Sequence, residues 1–206
     1  MSINKAQNME DAILKAATHL FLEKGFKATS TTEIAKEVGC NQALVHYYYR
    51  TKERLFEAIF EKKMKFFVGS LLKIENEDIP FEAKLERKIE SHFDAIQEDP
   101  KLPLFLFNEV NSNPVRIKQI RSKLDDLPER VFIQMKTDLD AEIAAGNIRQ
   151  ITIYDLLLTI VSLNIMVFIA EPMFKTITRI SDDDFAKLRE RRKKENVRII
   201  LNSLKP

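Results

Sequence analysis

Cys40 is the only cysteine in this 206-residue chain, so an internal disulfide and a multi-cysteine metal site are both excluded. A lone thiol suits a reducing, cytoplasmic setting, and Cys40 itself reads as a small buried hydrophobe. Glycine and proline are scarce, with 4 and 7 residues. Few turn signals therefore separate long stretches rich in Leu, Ile, Ala, Glu and Lys, which predicts an all-α fold. A formal net charge of +2 is too small for a polycation, so any nucleic-acid binding must come from a local patch. The three histidines, His19, His46 and His92, show no metal-ligand spacing, and neither a phosphate-binding glycine-rich loop nor a Gly-x-Ser-x-Gly elbow occurs. Catalysis, a bound metal and a cofactor are accordingly not expected. No basic segment followed by a long apolar run marks a signal peptide. The richest apolar stretch, Ile151 to Ile169, contains Tyr154, Asp155, Thr159, Ser162 and Asn164, and so reads as a buried or interface helix instead of a membrane span.

What is present is helical periodicity. Ile13, Ala16, Ala17, Leu20 and Phe21 recur at helical spacing, with Gly25 as the stop. Ser30 and Glu33 have the spacing of a capping box, which starts a second helix carrying Ile34, Ala35 and Val38 and ending at Gly39. A third helix runs from about Gln42 to Arg50. Thr51 can cap a fourth, in which Leu55, Phe56, Ile59, Phe60, Met64 and Phe67 repeat to roughly Lys73, before the polar break at Glu75 to Pro80. Six more are expected: Phe81 to Glu98, Pro103 to Asn111, Val115 to Lys123, Leu127 to Ala145, Ile153 to Ala170, and Asp183 to Leu204. Asp99-Pro100, Asn113-Pro114, Gly146-Asn147 and Glu171-Pro172 punctuate them. The boundary between an N-terminal head (1–55) and a larger body (56–206) falls inside the fourth helix, which predicts a rigid connection.

Two short helices joined at Gly39 form a helix-turn-helix candidate over Thr31 to Arg50. Val45 and Tyr49, four residues apart, should face the core, while Gln42, Ala43, His46 and Tyr47 share a face able to enter a DNA major groove. Gln42 offers a donor and an acceptor suited to adenine, and Ala43 is small enough to approach a thymine methyl. His46 can donate or accept. Tyr47 and Tyr48 can bond phosphates through their hydroxyls, and Lys52 adds a charge beside free backbone N–H groups at a helix start. Thr31 and Thr32 suit phosphate contacts for the same reason, with Lys27 and Arg50 as further candidates. Packing is the competing reading of the three tyrosines and is preferred for Tyr49. For His46 the competing reading is an exposed side chain without a role.

The segments Thr29-Ser30-Thr31-Thr32-Glu33-Ile34-Ala35, Val38-Gly39-Cys40-Asn41 and Tyr47-Tyr48-Tyr49-Arg50-Thr51-Lys52-Glu53-Arg54-Leu55-Phe56 resemble the signature of the tetracycline-repressor-like family. Ala17, Leu20, Phe21, Gly25 and Phe26 match the stretch that precedes it. The resemblance covers about the first 60 residues. It departs at Val45-His46, where the family more often has Leu-Tyr, and at Cys40, where a small aliphatic residue is usual. It implies a homodimer whose heads read a palindromic operator in double-stranded DNA, most often as a repressor, with a body that binds a small molecule. Dimerisation also has a physical warrant, because one recognition helix reads too few base pairs to be selective in a genome. By the same resemblance, the dimer contact is built from the last two long helices, the first of which is apolar nearly all round.

In the body, Phe66, Phe67, Phe93, Phe105, Phe107, Met135, Ile165, Met166 and Phe168 could enclose an apolar cavity or form a filled core. His92, Asn108, Glu109 and Asn164 are polar residues within apolar helices that could orient a ligand. The candidate ligand contacts are Phe67, Phe93, Phe105, Asn108, Met135, Asn164 and Met166, for an apolar or amphipathic effector. The basic run Lys187, Arg189, Arg191, Arg192, Lys193 and Lys194 follows Asp182, Asp183 and Asp184, an order that the helix dipole favours, and reads as a solvated face. A helical ligand-binding or interaction module without specific DNA binding is the alternative function.

Overall fold

The computed structural model describes residues 2–71, 79–113, 115, 118 and 121–206. Among them are ten helices and no strand: α1 (Ser2–Ala28), α2 (Thr31–Val38), α3 (Gln42–Tyr49), α4 (Lys52–Gly69), α5 (Phe81–Glu98), α6 (Leu102–Ser112), α7 (Leu127–Ala144), α8 (Ile153–Ile169), α9 (Glu171–Thr178) and α10 (Asp182–Leu204). The chain divides into two compact units, residues 1–64 with 105–123, and residues 65–104 with 124–206. Helix α4 is continuous across residue 64.

In the first unit, α2 packs against α1 and α3, and Ile13, Ala17 and Phe21 of α1, Ile34 of α2, Val45 of α3, and Leu55, Phe56 and Ile59 of α4 are fully enclosed. The Phe56 ring lies 5.1 Å from Phe21, 4.8 Å from Phe26 and 5.5 Å from Phe105. The first two contacts are edge-on, at 74° and 69°, the arrangement that ring quadrupoles favour. At Gly25 the backbone of α1 leaves the helical region, with φ 78° and ψ 170°, a conformation open essentially to glycine alone.

In the second unit, α5 packs against α8 and α10. Leu85 and Ile89 of α5, Met135 and Leu139 of α7, Leu156 and Ile160 of α8, and Val197 and Ile200 of α10 fill the core. A smaller cluster joins Phe93, Ile96 and Phe168, with Phe67 and Ile165 against it. Thr152 caps α8 by accepting from the Asp155 N–H, and Ser181 caps α10 by accepting from the Asp184 N–H, both at 3.1 Å.

Helix α9 was read from the sequence as a break. Pro172 sits in its first turn, where a missing N–H costs nothing and the fixed φ already suits a helix; α8 and α9 meet at a bend of 53°. Of the helix expected over Val115 to Lys123, residues 116, 117, 119 and 120 lie outside the described residues, as do Glu75 to Asp78 of the expected polar break. Among the described residues no single helix is long and apolar enough to cross a membrane.

Candidate nucleic-acid interface

Local chemistry starts both short helices. The Ser30 hydroxyl accepts from the Glu33 N–H at 3.1 Å while the Glu33 carboxylate accepts from the Ser30 N–H at 2.9 Å. Lys24 adds an ion pair to the same carboxylate at 3.1 Å. The Ser30 backbone bond, then the Lys24 and Ser30 side-chain bonds, hold the Glu33 carboxyl below the usual carboxylate range. At the far end of α2, Gly39 takes φ 74° and ψ 30°, and the Cys40 N–H returns to the Ala35 carbonyl at 2.9 Å. Cys40 is half-buried and not the enclosed core residue expected, because that reversal leaves it at the tip of the turn. Asn41 caps α3 through Leu44.

Anchoring of α3 fixes which face it shows. Val45 is enclosed. Tyr49 is half-buried, and burial, followed by the charges of Glu10 and Asp11 and a hydrogen bond to Glu10, raises its phenol to about 12. These two tie α3 inward, and Gln42, Ala43, His46 and Tyr47 are exposed on the other side. Tyr47 is 74% exposed, its ring edge-on to that of half-buried Tyr48 at 5.3 Å. Thr32 is exposed and Thr31 half-buried.

A hydrogen-bonded chain runs along this face. Gln42 Nε2 lies 2.8 Å from Thr31 Oγ1 and 3.3 Å from His46 Nε2, and His46 Nδ1 lies 2.9 Å from the Arg50 carbonyl oxygen. Arg50 itself has φ 61° and ψ −56°, with the Thr51 N–H donating to the Tyr49 carbonyl at 2.6 Å. That is a γ-turn with positive central φ, a strained conformation for a residue with a side chain.

Lys52 is half-buried and tied to the turn after α1. Its Nζ donates to the Phe26 and Thr29 carbonyls at 3.0 and 2.9 Å and sits 4.3 Å from the centre of the Phe26 ring. Two of its three N–H donors are thus used on carbonyls beyond the break at Gly25. Thr29, also enclosed, reaches the Gly25 carbonyl at 2.9 Å. Lys27, Thr31, His46, Arg50 and Lys52 line an open notch of about 460 Å³ between the starts of α2 and α4.

The candidate ligand contacts are divided between the two units. Phe105 belongs to the first unit, 5.5 and 5.7 Å from Phe56 and Phe60. Asn108 and Met166 are exposed, since the helix period turns Met166 away from the row Ile153, Leu156, Ile160, Asn164 and Phe168 that α8 buries. Met135 lies in the larger core, Phe93 packs with Phe168 in the smaller one, and Phe67 and Asn164 meet His92. Here the donors run one way. Arg192, which can only donate, bonds Asn196 Oδ1 at 2.7 Å; Asn196 Nδ2 donates to Asn164 Oδ1 at 3.0 Å; and Asn164 Nδ2 donates to the Ile89 carbonyl at 2.8 Å and to His92 Nδ1 at 3.1 Å. His92 must therefore carry its proton on Nε2, and that atom is buried without a hydrogen-bond partner. Burial lowers the imidazole to about 4. In the basic run of α10, Lys187 pairs with Asp184, Arg189 with Glu171 and Lys193 with Asp94, so these charges are engaged within their own unit. Among the described residues no group of three or more His, Cys, Asp or Glu could hold a metal ion.

The family model described as "Bacterial regulatory proteins, tetR family" matches residues 13–59, the part of the chain that holds this interface. The fatty acid metabolism regulator protein of Bacillus subtilis is 22% identical over 138 residues, 67% of this chain and 70% of that protein. IcaR of Staphylococcus epidermidis, a negative transcriptional regulator of the biofilm operon icaADBC, is 28% identical over 94 residues, 46% of this chain and about half (51%) of its own length. A tetR-family transcription regulator from Marinobacter aquaeolei VT8 shares the fold, with a TM-score of 0.70 at 17% identity over 100% of this chain and 99% of that one. Residues 13–59 thus match the model of the tetR family of bacterial regulatory proteins, and the whole chain shares the fold of a tetR-family transcription regulator.

Proposed function

We propose that this protein is a ligand-responsive transcription regulator that binds a palindromic operator in double-stranded DNA as a homodimer, acting as a repressor that a small apolar or amphipathic molecule releases. In this reading it is not an enzyme, it works in the cytoplasm, residues 1–55 are the DNA-binding head and residues 56–206 the ligand-binding and dimerisation domain. One observation carries the DNA-binding reading: α3 is held inward by Val45 and Tyr49 and presents Gln42, Ala43, His46 and Tyr47 together on its open side. Those are side chains that can reach base edges in a major groove. Thr31 and Thr32 at the start of α2, with Tyr47 and Tyr48, supply hydroxyls for the flanking phosphates, and Lys52 keeps one N–H donor for the same purpose.

Dimerisation through α8 is supported by its open row. Tyr154, Leu158, Ser162 and Met166 recur every fourth residue and are exposed, with Leu158 68% accessible, the pattern of an apolar stripe that a second helix covers. For the effector, Phe67 and Phe93 are the candidate aromatic contacts of the second unit, and the unpartnered His92 N–H is the polar group that an acceptor atom of the ligand would satisfy.

Selection of bound sequences from a random duplex library tests the reading. A palindrome is the expected product, with Gln42→Ala changing the base preference at one position of each half-site and Tyr47→Ala weakening binding to all sequences. Enrichment of no motif by folded protein at low salt would instead favour a helical module without specific DNA binding.

A further inference from the structure

The exposed face of α3 carries more chemical direction than its residue types alone convey. The Arg50 carbonyl can only accept, so His46 Nδ1, 2.9 Å away, holds the ring proton. With that proton on Nδ1, Nε2 faces Gln42 as an acceptor, and the Gln42 atom 3.3 Å from it is the amide nitrogen. The same nitrogen reaches Thr31 Oγ1 at 2.8 Å. An amide nitrogen has two hydrogens, and both are now committed within the protein.

We infer that His46 is a positioning residue that holds Gln42 with its carbonyl oxygen outward, so that Gln42 reads DNA as a hydrogen-bond acceptor only. The partner it selects in the major groove is an exocyclic amino group, N6 of adenine or N4 of cytosine, without the N7 contact of a two-bond adenine reader. Residue identity suggests that two-bond pairing; the wiring to Thr31 and His46 removes it. The γ-turn at Arg50 belongs to the same device, since its reversal turns the Arg50 carbonyl back towards His46.

This inference rests on the DNA-binding reading, and the test separates the two. With the selected duplex, the base pair read by Gln42 is located as the one whose preference Gln42→Ala relaxes, and two changes are then made there. Deleting the amino group, with purine in place of adenine or 2-pyrimidinone in place of cytosine, is expected to weaken wild-type binding at least about 5-fold and to leave Gln42→Ala binding unchanged. Deleting N7, with the 7-deazapurine, is expected to change wild-type affinity by less than about 2-fold. In His46→Phe the freed amide gains sensitivity to N7 deletion, with folding checked by circular dichroism. Wild-type sensitivity to N7 deletion that vanishes in Gln42→Ala would overturn the inference while leaving DNA binding intact, as would indifference to the amino group. A folded His46→Phe protein with the wild-type analogue pattern would overturn the role of His46. A protein that enriches no duplex overturns both readings, and should His46→Phe not fold, the wild-type analogue pair still decides.

Discussion

Lowering the pH from 7.5 to 5 should destabilise this protein through one identifiable histidine. His92 is fully enclosed on α5, accepts from Asn164 at Nδ1, and has its imidazole lowered by burial from its ordinary 6.5 to about 4. Below pH 6.5 the unfolded chain takes up a proton that the native state refuses until about pH 4. Stability from this group is therefore complete above pH 6.5 and falls with decreasing pH, by at most about 1.4 kcal/mol per unit. The loss reaches roughly 2 kcal/mol at pH 5, and about 3 kcal/mol once pH 4 is passed. Carboxylates also titrate in this range, so the measurement is a comparison: urea unfolding of the wild type and of His92→Gln at pH 7.5 and pH 5. The variant is expected to be less stable at pH 7.5, since the chain from Arg192 to Asn164 ends on His92, yet to lose about 2 kcal/mol less on acidification. Equal losses in the two proteins would refute the claim that His92 is buried neutral.

Three further outcomes follow from the head. Lys52→Met removes two charge-assisted hydrogen bonds, to the Phe26 and Thr29 carbonyls, and should cost about 2–4 kcal/mol in urea unfolding; a cost under about 0.5 kcal/mol would mean that this ammonium does not hold the turn after α1. Gly39→Ala must adopt a left-handed backbone in open space, so a loss of about 1–2 kcal/mol is expected, and less for Gly39→Asn; an unchanged melting temperature for alanine would contradict the turn geometry. Because the Glu33 carboxyl is lowered, the stability it contributes is full above the usual carboxylate range and disappears as pH falls through and below that range. Glu33→Gln should flatten this part of the pH–stability profile, and an unaltered profile would rule out the capping box as its source.

Much of the head was legible because its signals are local. Ser30 and Glu33 are three residues apart and bond each other, and Gly39 needs only its own φ to end α2, so both boundaries could be read from spacing. The inward and outward faces of α3 followed from helical period in the same way. Lys52 was not legible as a tie, because its partners Phe26 and Thr29 lie more than 20 residues earlier and become reachable only once α1 breaks at Gly25. The Thr31–Gln42–His46 chain was equally hidden: residue identity shows what Gln42 can bond, and only packing shows what it does bond. In the body, aromatic and methionine residues at helical spacing could not be divided between core and cavity. The phase of α8 decides that Asn164 is buried while Met166, two residues on, is exposed.

The most direct test of the central claim is a titration of the selected duplex with purified protein, followed by sedimentation at several salt concentrations. Two protomers per palindromic duplex, with affinity falling steeply as salt rises, is the predicted result. A folded protein that binds every duplex alike, or none at low salt, would contradict the assignment of α3 as a recognition helix.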